Sequence, residues 1–154
     1  MRPITTMQLD QNQYDHITQV FPRPCADILM VSPKGNVWLM FRANQPCSQQ
    51  WWFPGGRVYF NESRQQAVAR KLAEECHLTD PPALKELGTH DLFFSAGGRD
   101  YHDITTLFKI EILEHSVIKT DSQALDHGWF TPEQCAALDL HPYVLHYVRQ
   151  SASL

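Results

Sequence analysis

Apolar residues concentrate in two short runs near the start of the chain, Ala26 to Val31 and Val37 to Phe41. The turn residues Ser32-Pro33-Lys34-Gly35-Asn36 separate them, so the pattern predicts a β-hairpin. Ahead of it, Leu9 to Phe21 is polar with scattered apolar positions, a short helix or arm that stops before Pro22-Arg23-Pro24. Arg42 to Gln50 has no periodicity and reads as a connection. Two more strands are expected at Lys85 to Phe94 and His102 to Ile112, with alternation clearest in Leu107-Phe108-Lys109-Ile110-Glu111-Ile112, and they suggest a long hairpin. A last strand lies around Gly128-Trp129-Phe130, before a helix start at Thr131-Pro132 and a second helix from Pro142 to about Arg149. Hairpins with interspersed helices predict an α/β (α+β) fold, a mixed sheet flanked by helices.

Between these hairpins stands Trp51-Trp52-Phe53-Pro54-Gly55-Gly56-Arg57, followed by a helical stretch. Asn61 is a suitable N-cap, Glu62 would then face the positive end of the helix dipole, and the helix should run to about Cys76. Val68, Leu72 and Cys76 form its apolar stripe. At ~100° per residue Glu75 lies only ~60° from the centre of that stripe, whereas Glu74 lies far round the other side. A carboxylate pushed to the core edge needs a cation or strong donors, which favours Glu75 as the principal ligand of a divalent ion. Loop carbonyls and carboxylates gathered this way suit a hard cation and, with it, diphosphate chemistry. Glu74 pairs naturally with Arg70 at i,i+4 and otherwise serves as a further metal ligand. Lys71 is spaced to form an ion pair with Glu75 and compete with a metal.

The chain has 154 residues, 43% hydrophobic and 19% charged, enough for one compact core and too few for two comfortable domains. A single domain over 1–154 is expected, with 1–22 as an N-terminal arm. A formal charge of −4 argues against long nucleic acid as a partner. Cys25, Cys47, Cys76 and Cys135 form no C-x-x-C pair and read as reduced thiols rather than a disulfide frame or zinc site. The N-terminus lacks a signal-peptide core, and no run approaches the ~20 apolar residues of a membrane span, so a soluble cytoplasmic protein is expected.

Gly56, Glu62, Arg70, Leu72, Glu74, Glu75 and Leu78 match the Nudix box, Gly-x5-Glu-x7-Arg-Glu-hydrophobic-x-Glu-Glu-x-Gly-hydrophobic, at correct spacing. Lys71 stands where the box has Glu, and His77 where it has Gly. The chain therefore resembles the Nudix hydrolase superfamily. Arg42-Ala43-Asn44-Gln45-Pro46 and Trp51 to Val58 make it most similar to the GDP-mannose mannosyl hydrolase branch, which also lacks the first Glu.

That resemblance implies a Nudix-like α/β/α sandwich and a single Mg2+ held by the Gly55 carbonyl, Glu75 and Gln123. It places Arg42 and Arg57 on the diphosphate, Asp27 on the sugar, Tyr14 against a nucleobase and His102 near the substrate. It also implies a homodimer contacted through the N-terminal arm. The branch's general base is a His directly after the Gln; here that residue is Ala124, and His127 is the nearby substitute. The expected activity is Mg2+-dependent hydrolysis of a nucleoside diphosphate sugar, GDP-mannose or GDP-glucose, to GDP and free sugar, slowed by the missing base. The alternatives are a Nudix pyrophosphohydrolase cutting between phosphorus atoms and a nucleotide-sugar binding module with weak turnover.

Overall fold

The computed structural model describes residues 9–116 and 124–154. Helix α1 (Gln11–Val20) is followed by β1 (Arg23–Val31), β2 (Val37–Arg42), β3 (Trp51–Trp52) and β4 (Gly55–Arg57). Then come α2 (Arg64–Cys76), β5 (Lys85–Ala96), β6 (Arg99–Glu111), β7 (Ala124–Phe130), α3 (Pro132–Ala137) and α4 (Pro142–Gln150). The strands form one mixed sheet of seven, ordered β3-β2-β1-β6-β5, with β4 paired to β1 and β7 to β2. Among the described residues no helix is long and apolar enough to cross a membrane.

The strands alternate between two cores, as a period of two requires. Ala26, Ile28 and Met30 of β1, Trp38 and Met40 of β2, and Phe108 and Ile110 of β6 pack with Ala67, Val68 and Leu72 of α2. Leu29, Val31, Leu39 and Leu107 point the other way, toward Val144, Tyr147 and Val148 of α4. Both faces of the central strands are therefore covered, which is why their sequences are nearly continuous apolar runs.

The β1–β2 hairpin forms, but its strands meet in register only at Val31 and Val37 before they diverge. β1 pairs in parallel with β6 along its whole length, from Arg23 opposite Asp103 to Val31 opposite Glu111. That partnership extends β1 three residues upstream of the expected start at Ala26. The long hairpin is tighter than expected: β5 and β6 run to Ala96 and Arg99, leaving Gly97 and Gly98 as a two-residue turn with φ of 61° and 74°. Both residues lie where glycine is favoured in hairpin turns.

The start of α2 also departs from expectation. Asn61 adopts a left-handed conformation, φ 65°, and lies outside the helix. Ser63 is the N-cap, its hydroxyl accepting from the Gln66 amide at 3.1 Å while the Gln66 side chain accepts from the Ser63 amide at 2.7 Å. This reciprocal box satisfies two helix-terminal donors that Asn61 would have left to one side chain. Glu62 consequently precedes the helix rather than sitting in its first turn.

Candidate active site

β4 lies against the N-terminal half of β1, with Gly55 opposite Asp27, Gly56 opposite Ala26 and Arg57 opposite Cys25. The approach at Gly55 is close: a Cβ there would stand 2.4 Å from both the Ala26 carbonyl oxygen and Asp27 Oδ1. Only a residue without a side chain fits. Between this loop, the β1 and β6 ends and α1 lies a cavity of ≈ 290 Å³. Asp27, Arg42, Arg57, Tyr14, Gly55 and Lys71 are among the residues lining it.

Helix α2 delivers its two acidic residues as the apolar stripe requires. Glu75 is 1% exposed, whereas the Glu74 side chain is 46% exposed. Lys71 reaches Glu75 with Nζ 2.5 Å from Oε1, and Glu74 Oε2 stands 3.6 Å from the same ammonium. The Lys71 stem runs beside the glycine loop, since a Cβ on Gly56 would lie 3.1 Å from its Cε. Glu74 also takes a 3.4 Å contact from Arg70 Nη1.

A second pair clamps the loop to the helix. Arg70 Nε donates to Glu62 Oε1 at 2.7 Å, and its Nη2 donates to Glu62 Oε2 at 3.0 Å and to the Arg57 carbonyl at 2.9 Å. Glu62 Oε2 also accepts from the Tyr59 amide at 2.8 Å. Burial raises the Glu62 pKa, but hydrogen bonds from Arg70 and Tyr59 and the Arg70 charge outweigh it and hold the carboxyl below its ordinary range.

Asp27 is buried, accepting from Trp52 Nε1 at 3.3 Å and from the Tyr143 hydroxyl at 3.2 Å. Burial pushes its pKa up to about 7 against the nearby charge of Arg42 and these two hydrogen bonds. Arg42 Nε is buried without a hydrogen-bond partner among the described residues. Such a donor is costly to leave unmade unless a ligand acceptor completes it. The Arg57 guanidinium lies 5.6 Å from the Tyr14 ring centre and 5.3 Å from that of Tyr59.

Residues that the sequence did not single out complete the wall. Arg23 grips Asp103 with two hydrogen bonds, 2.6 and 2.8 Å, and donates to the Tyr14 hydroxyl at 2.9 Å, tying α1 to the cavity. A sequence separation of 80 hides this pair from any local pattern; the parallel register of β1 and β6 creates it. Cys25 and Cys47 also line the cavity. Burial pushes the Cys47 thiol up to about 12 and raises that of Cys25 as well, so neither is a thiolate nucleophile at neutral pH. All four cysteines are free.

The two singled-out histidines lie elsewhere. His102 points to the opposite side of β6 from Asp103, its Nε2 3.0 Å from Asp91 and its ring stacked on Phe93 at 4.4 Å. His127 lies on β7 opposite Met40, its ring 5.6 Å from Trp38. Neither lines the cavity. Ala124 is paired with Arg42 across β2 and β7. Gln123 lies outside the described residues.

The Mg2+ implied by the resemblance can be tested against this donor set. Glu75 already has a cation at 2.5 Å, the Lys71 ammonium. The described part of the site does not fit a divalent ion while Lys71 holds this position.

The Nudix domain family model matches residues 21–150. The low-salt glycan biosynthesis protein Agl8 of Haloferax volcanii is 29% identical over 147 residues, covering 93% of this chain and 90% of that protein. Among solved structures, the MutT Nudix hydrolase of Burkholderia pseudomallei superposes with TM-score 0.72 at 21% identity, over 84% of this chain and 98% of that one. The Nudix domain of Shewanella oneidensis NrtR, crystallised with ADP ribose, gives TM-score 0.70 at 20% identity, over 95% and 97%. These structural likenesses concern the fold, a mixed sheet flanked by helices, and the family match spans most of the chain: the protein belongs to the Nudix domain family.

Proposed function

We propose that this protein hydrolyses a nucleoside diphosphate sugar, GDP-mannose or GDP-glucose, releasing GDP and the free sugar. One observation carries the reading: Arg42, whose buried Nε has no hydrogen-bond partner among the described residues, shares a cavity with Arg57 and with Asp27. Guanidinium groups pair with phosphate oxygens, and a carboxyl group suits sugar hydroxyls or a water. The relative named for glycan biosynthesis agrees with a sugar-linked substrate.

In this reading water attacks the anomeric carbon and the bond from that carbon to the diphosphate oxygen breaks. Its electron pair leaves with GDP, where Arg42 and Arg57 meet the growing charge. Asp27, with a pKa of about 7, takes the proton from water. His127 is outside the cavity and Ala124 has no proton to exchange, so Asp27 stands in for the branch's base, whose outright loss would cost ~10²- to 10⁴-fold in rate. Nudix hydrolases generally use divalent ions such as Mg2+, whereas here the Lys71 ammonium pairs with Glu75 at 2.5 Å. Pairing of two copies through the arm belongs to the same reading and is supported by exposed Ile17, Val20 and Phe21.

Turnover of GDP-mannose in heavy-oxygen water tests the proposal, with phosphorus NMR and mass spectrometry of the products. Label on the sugar supports attack at carbon; label on a phosphate rejects it in favour of cleavage between phosphorus and oxygen. Arg42→Ala should lower kcat/KM by about 10²-fold, the typical loss for one charge-stabilising donor. The specific observation of Lys71 on Glu75 favours a second reading, a binding module with little turnover, and retained binding without product would select it.

A further inference from the structure

We infer that the Lys71 ammonium takes the place of a divalent ion in this cavity, so that the site binds a diphosphate without metal and Glu75 positions Lys71. The inference rests on reading the cavity as a diphosphate site. The Lys71 side chain is 7% exposed, lines the cavity, and stands 2.5 Å from the 1% exposed side chain of Glu75.

Local stability does not explain this arrangement. Lys four residues ahead of Glu is the weaker of the two helical orientations, and burying two ions is costly. An apolar side chain at position 71 would extend the stripe of Val68, Leu72 and Cys76 more cheaply. What the pair supplies is a fixed positive charge beside the glycine loop, where Gly56 leaves room for the Lys71 stem. An ammonium carries three donors, and one oxygen at 2.5 Å engages one of them. Elsewhere in the wall, Arg23 has all three guanidinium nitrogens engaged by Asp103 and Tyr14, and Arg70 all three by Glu62, Glu74 and the Arg57 carbonyl. Arg42, Arg57 and Lys71 therefore remain to meet phosphate oxygens, with Glu74 on the outer side of the ammonium.

Inorganic pyrophosphate binding, followed by calorimetry in EDTA and in millimolar Mg2+, needs no mutation. The expected dissociation constants agree within about threefold; a tenfold or greater requirement for Mg2+ overturns the inference. Mn2+ titration followed by electron paramagnetic resonance should show no tight site in the wild-type protein, whereas Lys71→Glu should gain one and show a Mn2+-dependent rise in Tm. Equal Mn2+ affinity in the two proteins overturns it. Lys71→Gln should weaken pyrophosphate at least tenfold in EDTA and Lys71→Arg should restore most of it; an unchanged constant in folded Lys71→Gln also overturns it. If pyrophosphate behaves as expected but GDP-mannose yields no product, only the proposed activity fails.

Discussion

Arg70 holds Glu62 through two hydrogen bonds of 2.7 and 3.0 Å, and the Nη2 that makes the second also donates to the Arg57 carbonyl at 2.9 Å. Glu62 and Arg70 thus act as a brace between the glycine loop and α2, each engaged by the other rather than free for substrate. Removing one partner strands the other in a mostly buried place. Glu62→Ala should cost about 3 kcal/mol by urea unfolding, at the low end for a buried pair because Arg70 keeps 18% exposure. Because the folded pKa of Glu62 lies below the ordinary value of 4.5, its contribution is complete above that pH and is lost as pH falls through the folded value. Wild type and Glu62→Ala should therefore converge in stability in acid; a constant difference would refute the brace.

Gly55 and Gly56 should respond differently to the same methyl group. In Gly55→Ala the Cβ meets the Ala26 carbonyl oxygen at 2.4 Å and Asp27 Cα at 2.8 Å, backbone atoms that cannot step aside. A loss of about 3 kcal/mol, or failure to fold, is expected. Gly56→Ala meets only the flexible Lys71 stem at 3.1 Å. It should keep its Tm within a few degrees and lose pyrophosphate affinity, as calorimetry would show.

Asp27 should make the protein more stable in acid than its other carboxylates do. Its folded pKa of about 7 exceeds the ordinary 3.8. The contribution is therefore complete below about pH 4 and is lost as pH rises to about 7, a change on the order of 4 kcal/mol from the ~1.4 kcal/mol per pKa unit. Asp27→Asn should flatten this dependence and be more stable than wild type at pH 8 relative to pH 4. Parallel Tm curves for the two proteins would show that Asp27 is charged throughout.

His77 caps α2 in the left-handed conformation, φ 56°, at the position where the box has Gly. His77→Gly removes the Cβ clash at that backbone angle and should stabilise by about 1 kcal/mol, partly offset by the greater freedom of the unfolded chain. A Tm rise of about 2–4 °C is expected for a chain of this size. A fall in Tm would mean that the His77 side chain contributes something the cap geometry does not require.

Much of the frame was legible from local pattern. Most strands and helices fell within a few residues of where their periods placed them, because each is a local repeat that burial on one or two faces imposes, whereas β3 and β4 are too short to carry a period. The exposure of Glu74 and burial of Glu75 followed from the helical turn alone, as did the reach of Lys71 to Glu75. Trp52 and Phe53, in the aromatic run expected to pack the core beneath the glycine loop, are buried at 4% and 0%. Asn61 misled because two polar residues two positions apart can each cap a helix, and only the Gln66 partner three residues beyond Ser63 decides between them.

The amino-acid order by itself determined the elements, the box with its Lys71 substitution, and the side of α2 on which each carboxylate lies, since these depend on contacts within a few residues. Only the tertiary structure decided that Arg23 meets Asp103, that Asp27 sits beneath Gly55 beside Arg42, and that His102 and His127 face away from the cavity. Those outcomes depend on the register of strands distant in the chain, where a shift of one residue turns every side chain to the opposite face.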